Sequence, residues 1–234
     1  MLRKIGLYKH ALPYYQRLTL PHGSTVLIHI GKCGGGSLKR GLVNATKNIG
    51  PIVVHMQKPP YRADLKYIIV ARDPIARVES AFRWRYRLVV AEGMRDNVYR
   101  DEFDILSSYS NLNRLAEELY TEAGLPVAKA QSAMKSIHHI REDIAFYLHD
   151  LLEKCEPEQV IAVLMQESLD SDISKVFGYE NSFNVRLNRE SATNGSLSLL
   201  GLRNLRRFLA DDYEALMKLY CWGKIDCDVF RRIV

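Results

Sequence analysis

Thr25-Val26-Leu27-Ile28-His29-Ile30-Gly31-Lys32-Cys33-Gly34-Gly35-Gly36-Ser37 is the stretch on which the reading of this chain turns. Its first six residues are apolar or β-branched apart from one histidine, the composition of a strand buried in a parallel sheet. The run gives way to a glycine loop, and beyond it Leu38, Leu42 and Ala45 recur on one face of a helical pattern. Three consecutive glycines let the backbone curl so that successive N–H groups point inward, with a helix N-terminus behind them. Such a nest holds a phosphate-like anion. A flexible turn is the plain alternative, but the strand-to-helix placement and the neighbouring Lys32 and Ser37 favour anion binding.

Working outward, Pro51-Ile52-Val53-Val54-His55-Met56 and Lys66-Tyr67-Ile68-Ile69-Val70-Ala71 read as a second and a third strand, and Gln159 through Met165 as a fourth. Asp73-Pro74 supplies an N-cap and a proline for the first helical position, and Ile75, Val78 and Phe82 form the core stripe of the helix that follows. From Tyr109 to Cys155 the periodicity is helical, broken at Gly124-Leu125-Pro126 and near His138-His139. A polar stretch from Asn181 to Ser196 precedes a last helical region carrying Leu202, Leu205, Leu209, Tyr213, Leu216 and Tyr220. The expectation is one α/β domain over residues 1–234, a doubly wound parallel sheet with helical insertions. Residues 1–23 are its lead-in, 25–90 its ligand-binding half, 100–155 a helical insertion, and 156–234 the last core strand with the C-terminal helices.

The bulk properties agree with this class. The 234 residues are 47% hydrophobic and 26% charged, enough to bury a real core, and the net charge of +6 suits an anionic ligand without proving one. No apolar run is long enough for a transmembrane helix, and the basic start Met1-Leu2-Arg3-Lys4 lacks the apolar segment of a signal peptide. Cys33, Cys155, Cys221 and Cys227 are scattered without metal-ligand pairing, which reads as reduced thiols in a cytoplasmic protein.

A nucleoside triphosphatase loop needs G-x-x-x-x-G-K-[ST]. Setting Gly31 and Gly36 on its two glycines puts Ser37 where the lysine belongs, and no later strand ends in a clear magnesium-binding aspartate. A kinase or GTPase is therefore disfavoured.

Ile30 through Leu38 resembles the 5'-phosphosulfate loop of the sulfotransferases that use 3'-phosphoadenosine 5'-phosphosulfate (PAPS), where an apolar strand enters Pro-Lys-Thr-Gly-Gly-Thr-Ser-Leu. Gly31 stands where proline is usual and Cys33 where threonine is usual; neither change removes the backbone nest or the lysine. Val70-Ala71-Arg72-Asp73-Pro74-Ile75-Ala76-Arg77-Val78-Glu79-Ser80-Ala81-Phe82 is similar to the 3'-phosphate-binding segment of the same family. There an arginine at the strand end and a serine eight residues later grip the 3'-phosphate. The residues suit that role: Arg72 closes a strand, and Ser80 lies two turns into the helix, expected with Arg77 to face away from the apolar stripe. Alone, Arg-Asp-Pro marks only a capped helix; both motifs in this order are far more specific.

The resemblance is clear over residues 25–90 and diffuse over 140–220, through Ala145-Phe146-Tyr147-Leu148, Ile161 to Phe177, and Arg186 to Tyr213. It implies a P-loop-like fold, PAPS as donor and no metal. It assigns Lys32, Gly34, Gly35, Gly36, Ser37 and Leu38 to the 5'-phosphosulfate and Arg72 and Ser80 to the 3'-phosphate. Arg189, with Arg186, Asn188 and Ser191, falls where related enzymes close a loop over the nucleotide. It points to an acceptor hydroxyl, a carbohydrate by the closest likeness, and to no nucleic-acid partner.

Such a transferase needs a base. His55 closes the second strand and should open on the crevice shared by Lys32 and Arg72, as the basic residue of related enzymes does; the alternative is a structural histidine at a strand–loop junction. His138-His139 is the competing site. The cluster of Arg77, Arg83, Arg85 and Arg87 with Trp84 and Tyr86 could meet an anionic acceptor, although a solvated helix face is the better reading. Two other functions stay open: a nucleotide kinase with a degenerate loop, and a non-catalytic nucleotide- or RNA-binding module that uses this basic helix.

Overall fold

The apolar run after Ser24 forms strand β1, Thr25–His29, whose first four residues are buried. It belongs to a parallel sheet with β2 (Ile52–His55), β3 (Lys66–Ala71) and β4 (Val160–Met165), in the order β2-β1-β3-β4. This is a computed structural model, which describes residues 19–34, 52–55, 58–94, 101–178 and 196–234. All four strands coincide with the apolar runs of the sequence to within a residue or two. The register sets Ile28 opposite His55 and His29 opposite Val70, so β1, β2 and β3 end side by side. A bulge between Tyr67 and Ile68 adjusts β3 to β4.

The described residues gather into two compact units. The first holds the sheet and comprises the described residues up to Arg72, those from Ile144 to Gly178, and those from Glu214 onward. Its helices are α5 (Ile144–Leu152), α6 (Leu169–Phe177), most of α8 (Ala210–Cys221) and α9 (Cys227–Ile233). Val26, Ile28, Ile68 and Val70 of the sheet share one core with Leu148, Ile173, Leu216 and Phe230 of those helices. Below the sheet, Gln159 Nε2 donates to the carbonyls of Arg62, Ala63 and Leu65, and Tyr67 donates to Pro60 O at 2.9 Å, tying the turn before β3 to the start of β4.

The second unit is helical: α1 (Pro74–Tyr86), α2 (Glu102–Tyr109), α3 (Leu112–Glu117), α4 (Ala128–Lys135), α7 (Leu199–Phe208) and the first turn of α8. The expected α1 stripe is here, Val78 and Phe82 packing with Leu106, Leu115, Met134, Ile137 and Leu205. Asp73 caps α1 by accepting from Ile75 N and Ala76 N, with proline at the first position. Residues 87–91 continue α1 as a π-helical turn. The stretch read as one helical insertion, 100–155, is divided, its portion up to Asp143 lying in this unit and the rest in the first. No helix among the described residues is long and apolar enough to cross a membrane.

Candidate anion site at the sheet switch point

The connection after β1 leads to β2 on one side of it, while β3 pairs on the other. In an open parallel sheet, ligands bind at the carboxyl ends of the strands where the order reverses in this way. Here that point is the gap between the ends of β1 and β3, and two sequence-predicted residues occupy it. Lys32 lies in the loop after β1 and Arg72 directly follows β3. Arg72 Nη1 donates to the carbonyl of Lys32 at 3.3 Å across 40 residues of chain. Both residues are half-buried.

The loop is bent to do this. Lys32 has φ of 71° and Gly34 φ of 88°, both in the left-handed region, while Cys33 N donates to Ile30 O. Glycine enters that region freely; lysine does so at a cost of about 1 kcal/mol or more, a strain that tends to collect at functional sites. Cys33 is wholly buried, as a spacer between two turning residues should be. Gly35, Gly36, Ser37 and Leu38 lie outside the described residues, as does Arg189.

A third strand end reaches the loop. A Cβ on Gly34 would lie 3.6 Å from the side chain of Gln166, which immediately follows β4. Gln166 Oε1 is buried and accepts no hydrogen bond among the described residues. Asp172 holds this corner, accepting from Met165 N at 2.9 Å and from Ser168 Oγ at 2.8 Å on either side of Gln166. Burial raises the Asp172 carboxyl above the ordinary aspartate range. Sequence reasoning passed over both residues; the one available signal was that Gln166 closes a strand, as Arg72 does. His55 closes β2 beside Ile28 of β1, at the same end of the sheet as Lys32. The four strand ends thus bring Lys32, His55, Arg72 and Gln166 to one edge of the first unit.

Ser80 belongs to the second unit, half-buried on α1. Its expected companion does not face outward. Arg77 is fully buried, and its Nη2 donates to the carbonyls of both His139 and Glu142. The expected solvated arginine face is likewise corrected. Arg85 is buried too, gripping the fully buried Glu102 through Nε and Nη2, both at 2.8 Å. Of the four arginines, Arg83 is exposed, and Arg87 stacks on Trp84 at 4.9 Å. Periodicity explains the reversal: Arg77, Ala81 and Arg85 fall at i, i+4 and i+8, beside Val78 and Phe82 on the core side of α1.

These arginines bear on the competing histidines. His138 N donates to Glu102 Oε1 at 2.9 Å, so Glu102 serves both Arg85 and this turn. The His138 and His139 rings stack with centroids 4.3 Å apart. The second unit also holds a cavity of about 590 Å³ lined by Asp104, Tyr109, Arg114, Glu118, Lys129 and Ser132, where Tyr109 donates to Glu118 at 2.8 Å. No motif in the sequence marks it.

No family model, curated protein or solved structure matches the chain.

Proposed function

We propose that this chain is a PAPS-dependent sulfotransferase, with a P-loop-like doubly wound sheet, acting on an acceptor hydroxyl, a carbohydrate by preference. The observation that carries this reading is the hydrogen bond between Arg72 and the carbonyl of Lys32. It joins the two stretches that resemble the 5'-phosphosulfate loop and the 3'-phosphate segment, at the position where a parallel sheet binds nucleotides.

In this reading the loop amides and Lys32 hold the 5'-phosphosulfate, and Arg72 with Ser80 holds the 3'-phosphate. The acceptor oxygen attacks sulfur in line, the bond from sulfur to the bridging oxygen breaks, and 3'-phosphoadenosine 5'-phosphate leaves with the electron pair. Negative charge grows on that bridging oxygen, so Lys32 stabilises the transition state more than the ground state. His55, at the end of β2, takes the acceptor proton; an ordinary imidazole is largely neutral at pH 7 and can accept it. The logic is that of phosphoryl transfer with protein cations in place of magnesium.

Nucleotide-dependent melting tests the reading. At a hundred times its dissociation constant, 3'-phosphoadenosine 5'-phosphate should add about 2.7 kcal/mol, a shift of roughly 5–10 °C for a chain of this size. AMP, which lacks the 3'-phosphate, and ATP with magnesium should each do much less. Equal shifts with AMP would remove Arg72 and Ser80 from the site, and a larger shift with magnesium and ATP would favour a kinase.

A further inference from the structure

We propose that His138, His139 and Glu142 form a binding site for a divalent transition-metal ion of the Zn²⁺ type, a site independent of the sulfuryl-transfer reading. One candidate ligand atom from each of the three lies within 4.8 Å of the others, and all three residues are half-buried. Neighbouring side chains in ordinary helical or extended backbone diverge by about 100° or 180°. Here His139 turns to φ of 66°, and the two imidazole rings stack 10° from parallel, which brings both side chains to one side of the turn.

That turn is held from within. Glu102 accepts the His138 N–H, and Arg77 donates to the carbonyls of His139 and Glu142; both pinning side chains are fully buried. Backbone bonds from Ile140 N and Arg141 N to Ile137 O close it further. The ligands are therefore carried by a fixed backbone, which lowers the ordering that binding requires. Two imidazole nitrogens and a carboxylate oxygen suit zinc and its neighbours rather than the all-oxygen sites of magnesium or calcium. Bonds of about 2.0–2.1 Å at tetrahedral angles put ligand atoms about 3.3 Å apart, so an ion closes the cluster by tilting the imidazoles out of their parallel stack until both ring planes meet at it. Three protein ligands leave a fourth position for water or a further ligand.

A second cluster of similar spacing, His149, Asp150 and Glu153, makes a sharp control. It is exposed at the end of α5 and the turn after it, and Lys58 Nζ already lies 2.5 Å from Asp150 Oδ2. The test titrates the full 234-residue chain with ZnCl₂ by calorimetry and with CoCl₂ by visible absorption. One equivalent should bind saturably, with the d–d absorption of four- or five-coordinate cobalt. Losing a ligand should cost more than the roughly 10–100-fold typical of an outer-shell partner, so Glu142→Gln should weaken binding by about a hundredfold or more. That variant keeps the carbonyl Arg77 contacts and should melt as the parent does; should His139→Ala fail to fold, Glu142→Gln decides alone. His149→Ala should bind as the parent does. The proposal is overturned by an absence of saturable binding, or by binding that survives Glu142→Gln and disappears in His149→Ala.

Discussion

Arg72 and Arg77 stand five residues apart on either side of a helix cap, and the fold uses them in opposite ways. Arg72 is half-buried at a strand end and, among the described residues, makes one long bond through Nη1 to a loop carbonyl. Arg77 is sealed in the helical unit, where its Nη2 bridges two backbone carbonyls. Arg85 goes further and buries a forked ion pair with Glu102. The same residue type stays half-buried where a strand ends, and becomes a fastener where helical periodicity turns it inward.

The largest expected effect breaks that comparison at its buried side. Removing one partner of a buried ion pair costs about 3–5 kcal/mol, because the other charge is left in a medium that cannot solvate it. Arg85→Ala should lose stability on that scale in urea unfolding. Replacing the pair together, Arg85→Met with Glu102→Leu, should recover much of it, except for the bond Glu102 accepts from His138 N. Arg72→Ala should cost no more than the roughly 0.5–1.5 kcal/mol of a single hydrogen bond. A large loss from Arg72→Ala would make it a structural arginine as well and erase the contrast.

The next effect sharpens the exposed side. Arg72→Ala should weaken binding of 3'-phosphoadenosine 5'-phosphate by about 1.5–3 kcal/mol, the worth of a charge-assisted bond, as read by calorimetry. Lys32→Ala should instead reduce turnover more than donor affinity, because its contact strengthens as charge develops. If Lys32→Ala raises only the dissociation constant, Lys32 binds without catalysing.

The smallest effect concerns the corner that sets Gln166. Asp172 has a raised carboxyl pKa in the folded protein, through burial. Just above the ordinary aspartate value of about 3.9, the folded state then holds more protons than the unfolded one, and stability falls as pH rises through that window. Asp172→Asn cannot titrate. The two proteins should melt alike near pH 3, and the parent should lose ground to the variant by pH 6. A difference that stays constant between those pH values would show that burial does not govern this carboxyl.

How much of this was legible depended on the range of the signal. The four strands announced themselves because apolar, β-branched runs are local, and Asp73-Pro74 announced α1 for the same reason. Lys32 and Arg72 could be placed near strand ends because the first lies three residues beyond such a run and the second directly follows one. Arg77 and Arg85 were misplaced because charge was weighed above periodicity: Arg85 follows Val78 by seven residues, a core position by spacing, and only the identity of the residue argued otherwise. Gln166 had only its strand end as a sign, and the partnership of Glu102 with Arg85 and His138 had none. Both depend on residues far apart in sequence that share no pattern.

The order in which the chain builds its two units has a consequence for how it must fold. Strand β4 pairs with β3 only after the whole segment Asp73–Asp143 has been made, and the Lys66 ammonium reaches Glu158 O over 92 positions. The helical unit waits in turn for α7, whose Asn204 donates to Ala116 O over 88 positions. Each core is thus completed by residues that leave the ribosome late, and closing such long loops costs entropy before any contact repays it. The emerging chain holds β3 ready while β4 is still unmade, with an apolar strand edge open to other chains. Refolding should be slow for a protein so rich in helix, with yields that fall as protein concentration rises.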